Sequence, residues 1–204
     1  MREAAEWIQS RQRFALCTHV HPDADGVGSQ AALCRALLAL GKDAILFNPT
    51  PTPRHLRFLT RGLETFWART EEECAAALHE RHPVLFDIGN FHRMGLISTQ
   101  LDRPGADVLL IDHHQATLTP PESSARDICP LTHADVSSTG ELTVRLIEAL
   151  GVNLTPPMAS ALFAAIATDT GFFKHSNASA ATFSMAAHLV EAGAKPEVVF
   201  KELY

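Results

Sequence analysis

The sequence predicts an α/β domain built on a mostly parallel β-sheet with helices on both faces, followed by a helical C-terminal part. Three observations predict it. Short runs of apolar and β-branched residues alternate with helix-length stretches through the first 126 residues, the signature of strand–helix–strand crossovers. The strand-like runs, such as DVLLID, are nearly all apolar, as expected of strands covered on both faces. After residue 126 the texture changes and helical segments follow one another.

Taken in order, residues 3–13 read as a lead-in helix and 14–20 as a first strand. Residues 27–40 form a helix closed by Gly41, a residue type suited to a left-handed helix end. A strand fits 44–48, and Thr52-Pro53 opens a short helix. Thr70 and Glu73 form a capping box that starts a helix running to about residue 82. A strand at 83–88, a helix at 91–101 and a strand at 107–112 continue the alternation. A strand at 127–131 precedes a Ser138/Glu141 capping box and a helix to 150. Helices at 156–168, 178–192 and from 196 onward follow, the first and last with proline (Pro156, Pro196) at the first helical position. There is no internal repeat and no low-complexity linker.

The 204 residues are 46% hydrophobic and 20% charged, which is ordinary for a soluble globular protein. No apolar run reaches the roughly 18 residues of a membrane span, and the opening MREAAEWIQSRQRF lacks a signal-peptide core. Four cysteines stand without C-x-x-C spacing and read as reduced, mostly buried thiols of a cytoplasmic protein. Seventeen Lys+Arg against 23 Asp+Glu leave a formal charge of −6, which argues against tight binding to long duplex nucleic acid. Eleven histidines, several next to aspartates, point instead to a metal site.

In open α/β sheets, ligands bind beyond the carboxyl ends of the strands. Three predicted strand ends run into metal-ligand residues: His19 with Asp23 and Asp25, then Asp87, then Asp112-His113-His114. Asp169 stands where an apolar helix breaks at a turn. Each aspartate alone has an ordinary reading as a turn or capping residue. Two adjacent histidines after a buried strand are different, because leaving them unpartnered is costly. Imidazole mixed with carboxylate shifts preference from magnesium or calcium toward manganese, iron, cobalt or zinc. His19 and Asp23 can reach one ion and Asp25 a second, with Asp87 available to bridge them. Two divalent ions would serve in-line phosphoryl displacement, and four aspartates match their charge.

In this order, His19-x-x-x-Asp23-x-Asp25, Asp87, Asp112-His113-His114 and Asp169-Thr-Gly resemble the four motifs of the DHH phosphoesterase superfamily. HPDADGVGSQAALCRALLALGK, NPTPTPRHLRFL, SSTGEL and TDTGFFKHSN are similar to its nanoRNA/pAp phosphatase branch. The resemblance implies His19, Asp23 and Asp87 on one metal, and Asp25, Asp87, His113 and Asp169 on the other. It implies two divalent ions, usually manganese, with Asp112 as a supporting or catalytic partner and His114 facing the scissile phosphate. Arg93, six residues past Asp87, is a candidate phosphate contact; an ordinary surface arginine is the alternative.

Gly26, directly after Asp25, is also reminiscent of the RecJ-like exonuclease branch. Relatives usually continue into a smaller substrate-binding domain, so residues 1–192 are expected to form the catalytic domain and 193–204 to begin a helix or linker toward it. The expected activity is hydrolysis of short single-stranded oligonucleotides or of 3′-phosphoadenosine 5′-phosphate. Alternatives are single-strand exonuclease, pyrophosphatase or cyclic-dinucleotide phosphodiesterase activity, or nucleotide binding without turnover. No membrane partner is expected, and a homodimer is admitted.

Overall fold

The computed structural model describes residues 1–102, 105–114 and 127–204. Its six strands are β1 (Arg13–Thr18), β2 (Asp43–Asn48), β3 (Thr65–Trp67), β4 (His82–Phe86), β5 (Asp107–Asp112) and β6 (Asp127–Thr132). They form one sheet in the order β3-β2-β1-β4-β5-β6, with every neighbouring pair parallel. The helices are α1 (Arg2–Gln9), α2 (Ala24–Ala39), α3 (Glu71–Leu78), α4 (Ile97–Leu101), α5 (Thr139–Ala149), α6 (Pro156–Asp169), α7 (Ala180–Glu191) and α8 (Pro196–Leu203). Two 3-10 turns lie at Arg54–Thr60 and Phe91–Met94.

Period-two alternation divides the apolar strand residues between two cores. Phe14 and Leu16 of β1, Val84 and Phe86 of β4, and Leu109 and Ile111 of β5 face one side with α1, α2 and α5–α8. Ala15 and Cys17, Leu85, and Val108 and Leu110 face the other with α3 and α4. Burial on both faces explains why the strands read as continuous apolar runs. Pro130 has no amide hydrogen to give a ladder, and it falls on the edge strand β6 opposite Leu110, where proline is tolerated. Val199 and Leu203 of α8 belong to the larger core.

α2 packs on α6 at very close range. A Cβ on Gly28 would lie 2.3 Å from the backbone oxygen of Ala161, so only glycine allows this approach. Gly26 is constrained in the same way, since a Cβ there would lie 2.1 Å from Thr18 Oγ1 on β1.

Several predicted boundaries move. The lead-in helix stops at Gln9 rather than 13, because Arg13 is already paired with Asp43 in the sheet. The first strand ends at Thr18 rather than residue 20, since the chain turns out at His21, whose φ is 56°. α2 begins earlier than 27, at Ala24, because Asp23 caps it by accepting from Gly26 N at 3.0 Å. α3 ends at Leu78, short of residue 82.

The predicted helix 91–101 is two short pieces separated at Gly95, whose φ of 53° breaks the helical path. Three-residue β3 was not foreseen, for it is too short to show a pattern and leaves Phe66 and Trp67 exposed. Thr70 and Ser138 do cap α3 and α5, but the return halves of both boxes go elsewhere. Glu73 accepts from Arg69 N and Glu141 from Ser137 N. The reciprocal box is Ser179–Thr182 at α7.

Candidate metal centre

The strand order reverses between β1 and β4, the crevice where doubly wound sheets bind ligands. The carboxyl ends of β1, β4 and β5 meet there. The turn after β1 supplies His19, and the first residues around the start of α2 supply Asp23 and Asp25. Asp87 follows β4, Asp112 ends β5, and His113 and His114 come next. Asp169 joins them as the last residue of α6. Among the described residues, three groups have ligand atoms within 4.8 Å of one another: His19, Asp23 and Asp87; Asp25, His113 and Asp169; and Asp87, His113 and His114.

The first two groups contain the six residues expected from the sequence, and Asp87 links them. Its Oδ2 lies 3.7 Å from His19 Nε2 and its Oδ1 lies 3.6 Å from His113 Nε2. His19 Nε2 is also 3.6 Å from Asp23 Oδ2. His113 Nε2 is 3.8 Å from Asp25 Oδ2 and 3.5 Å from Asp169 Oδ2. These separations are too long for hydrogen bonds and suit donor atoms arranged around a common ion. Asp87 reaches this position with φ at 57°, a left-handed conformation that few residues other than glycine adopt and that asparagine, aspartate and histidine tolerate best.

His19 tests the fit to a metal directly. Its Nε2 is buried without a hydrogen-bond partner, while Nδ1 lies 2.6 Å from Val20 O. Arg93 Nη2 is 2.8 Å from the same Nδ1. One nitrogen cannot donate to a carbonyl and accept from a guanidinium together, and the shorter contact assigns its proton toward Val20. With Nδ1 so engaged, Nε2 is the ring atom that faces the two carboxylates, and an ion bound there would displace its proton, as in a metal-ligating histidine. Arg93 is also anchored by Ile88 O at 3.2 Å, and its guanidinium lies beside Gly89 and near His19.

His114 is held differently. Asp112 Oδ1 receives its backbone N–H at 2.9 Å and its Nδ1–H at 2.7 Å, and Gly89 N bonds Asp112 Oδ2 at 2.8 Å. With Nδ1 committed, Nε2 is the atom His114 has available. This weakens the third group as a ligand set and leaves His114, 38% exposed, at the mouth of the site.

The charge balance points the same way. Burial raises the carboxyl of Asp25 well above its ordinary value, with further repulsion from Asp87, Asp169 and Asp23. Burial also raises Asp87, helped by Asp23 and Asp112 and opposed by His19. Asp169 is pushed up to about 6 by burial and the charge of Asp23. Burial works against a charge on His19, but Asp23 and Asp87 outweigh it and carry the imidazole up to about 9. A cluster that holds protons this tightly is short of positive charge, and divalent ions would supply it. Asp112 is lowered despite burial, because His114 and Gly89 bond it. His114 is raised by Asp112, whereas burial lowers His113.

Other parts of the site were missed from sequence. The first turn of α5 grips Asp25, with Thr139 N on Oδ2 at 2.8 Å and Gly140 N on Oδ1 at 2.9 Å. Thr139 Oγ1 reaches Asp87 Oδ1 at 3.3 Å. Ser138/Glu141 was read as a helix start and SSTGEL as part of the resemblance, but neither reading gave these amides a role. The signal for one was present, because the unpaired N–H groups of any helix N-terminus bind anions.

The profile of the DHH family, N-terminal domain, matches residues 13–166. This chain belongs to the DHH family. The Thermus thermophilus bifunctional oligoribonuclease and PAP phosphatase NrnA is 31% identical over 198 residues, covering 96% of this chain and 55% of the relative. A Mycoplasma pneumoniae protein of the same description is 26% identical over 201 residues, covering 98% and 59%. The DHH chain therefore spans little more than half the length of the curated relatives it matches. An exopolyphosphatase-related protein from Bacteroides fragilis shares the fold with a TM-score of 0.85 at 22% identity, over 98% of this chain and 58% of that one. A putative family II inorganic pyrophosphatase from Methanococcus jannaschii superposes with a TM-score of 0.67 at 21% identity, over 94% and 60%. Among the described residues no helix is long and apolar enough to cross a membrane.

Proposed function

We propose that this DHH chain is the catalytic unit of a manganese-dependent phosphoesterase that hydrolyses short single-stranded oligonucleotides or 3′-phosphoadenosine 5′-phosphate. The observation that carries the reading is the unpartnered, buried Nε2 of His19 beside Asp87, with a second donor group on the other side of that carboxylate. His19, Asp23 and Asp87 would hold one ion, and Asp25, Asp87, His113 and Asp169 the other. Bound there, two divalent ions supply positive charge to a phosphoryl group in displacement and make a nearby water more acidic.

The remaining residues act on the substrate and its protons. Asp112 orients His114 and favours its protonated form, so Nε2 of His114 serves as a hydrogen-bond donor to the scissile phosphate. Arg93 lies within reach of the same region and contributes a second donor. Supporting the substrate class, the T. thermophilus relative NrnA is a bifunctional oligoribonuclease and PAP phosphatase. Manganese is favoured because the donors mix imidazole with carboxylate; a RecJ exonuclease structure with a TM-score of 0.51 to this chain holds manganese. The net charge of −6 favours short substrates over long duplexes.

The test is turnover of a ribodinucleotide, 3′-phosphoadenosine 5′-phosphate and pyrophosphate, each with manganese and with chelator. Manganese-dependent release of mononucleotide, or of phosphate from 3′-phosphoadenosine 5′-phosphate, supports the reading. Hydrolysis of pyrophosphate alone would replace the substrate class, and manganese-independent turnover would remove the mechanism.

A further inference from the structure

Asn177 lies eight residues beyond Asp169, outside the donor groups of the metal centre. Its Nδ2 carries two hydrogens, and both are engaged by backbone carbonyls, Ser137 O at 3.1 Å and Asp169 O at 3.2 Å. Those two carbonyls belong to different segments of the site. Asp169 is itself one of the grouped carboxylates. Ser137 leads into the α5 N-terminus, whose Thr139 and Gly140 amides hold both oxygens of Asp25. A single side-chain amide thus ties the segment that fixes Asp25 to the segment that carries Asp169.

The surroundings make that tie consequential. Directly after Asp169 the backbone runs through Gly171, Phe172 and Phe173 with φ of 57°, 55° and 62°. Three successive left-handed residues, two of them aromatic, are a strained path that persists only if neighbouring contacts determine it. Asn177 supplies one such contact at the start of the turn. On the other side, Ser137 Oγ bonds Glu141 Oε1 at 2.6 Å, and Thr182 Oγ1 of α7 bonds the same oxygen at 2.9 Å. Ser137 is therefore a fixed point, and Asn177 joins the end of α6 to it. Neither bond reaches His19 or Asp23.

We infer that Asn177 is a positioning residue for one of the two metal positions, the one formed by Asp25, His113 and Asp169. The inference rests on the two-ion reading above. Removing the amide leaves every ligand in place but frees the spacing between Asp25 and Asp169. Loss of such a supporting bond lowers metal affinity by roughly 10–100-fold. The His19, Asp23 and Asp87 position keeps its affinity.

The experiment is manganese titration of wild type, Asn177→Leu and Asn177→Ala by equilibrium dialysis, with thermal midpoints of the metal-free proteins measured alongside. Leucine keeps the forked shape of the side chain without the donors, which separates packing from hydrogen bonding. The expected result is one of two manganese ions weakened roughly 10–100-fold in both variants and the other unchanged within threefold. Weakening in alanine alone would assign the effect to packing and overturn the inference. Equal loss at both positions, or at neither, would overturn it too. A single manganese in wild type would instead remove the two-ion reading, and the inference with it. Should alanine unfold, leucine at the same exposed position still decides between these outcomes.

Discussion

Asp169→Asn should make the metal-free protein more stable, even though Asp169 stands among the candidate metal ligands. Its carboxyl is pushed up to about 6 from an ordinary value near 3.8, by burial first and by the charge of Asp23 second. A carboxyl raised on folding contributes stability that is complete below its unfolded value and is lost as pH climbs through its folded one. At pH 8 both states are ionised, and the difference of about two pH units is worth roughly 3 kcal/mol against the folded state. The side chain is 29% exposed, so solvent screening brings this to about 1.5–3 kcal/mol. Its place on the last residue of α6 adds to the cost, since a helix C-terminus is already negative. Asparagine removes the charge. For a domain of this size the gain corresponds to a thermal midpoint roughly 3–10 °C higher at pH 8.

The assay is calorimetric melting of wild type and Asp169→Asn with chelator across pH 4 to 8. The gap should open between pH 4 and 6 and stay level above. With saturating manganese its sign should reverse, because the wild-type carboxylate then has a cation beside it. A variant that is no more stable than wild type at pH 8 without metal, or a gap that ignores pH, would refute the reasoning.

Asp87→Asn should reduce manganese binding at both positions while leaving the backbone undisturbed, because asparagine accepts the φ of 57° at least as readily as aspartate. Elemental analysis showing full metal content in that variant would remove Asp87 as the shared ligand. His114→Ala should keep its metal and lose roughly 10²–10⁴ in turnover, the scale of a positioned acid–base group, whereas His113→Ala should lose metal. Equal metal loss in both would show their roles misassigned. Gly28→Ala drives a Cβ to 2.3 Å from Ala161 O and should cost about 1–3 kcal/mol in urea unfolding; an unchanged midpoint would mean that the two helices separate freely.

The architecture was readable because burial on both faces writes itself into β1, β4 and β5 as unbroken apolar runs. Period-two partition of residues such as Leu16 and Cys17 then follows without further information. What failed depended on local backbone. Nothing in Phe66 or Trp67 marks an edge strand of three residues, and the break at Gly95 lies inside a stretch that is otherwise helical in pattern. The six grouped donors were legible because their types and their places at strand ends pointed to one edge. The residues that hold them were not. Thr139 and Gly140 act through main-chain N–H groups that any side chain would carry, and Asn177 reaches its carbonyls across a turn whose shape comes from three positive φ values. Proton placement on His19 is equally beyond sequence, since it depends on a 2.6 Å approach to Val20 O.

The tight seam between α2 and α6 has a consequence beyond stability. Asp25 lies in the first turn of α2 and Asp169 ends α6, so alongside the Asn177 tie the gap between these carboxylates depends on where the two helices touch, Gly28 against Ala161 O. Loops breathe, but a contact between one helix backbone and another has little room to adjust. The aperture offered to a cation is thus inherited in part from the packing around Gly28 and Ala161. A methyl group added there, one helical turn from Asp25, would widen that aperture and shift the preference among ions of different radius while the ligand set stayed the same.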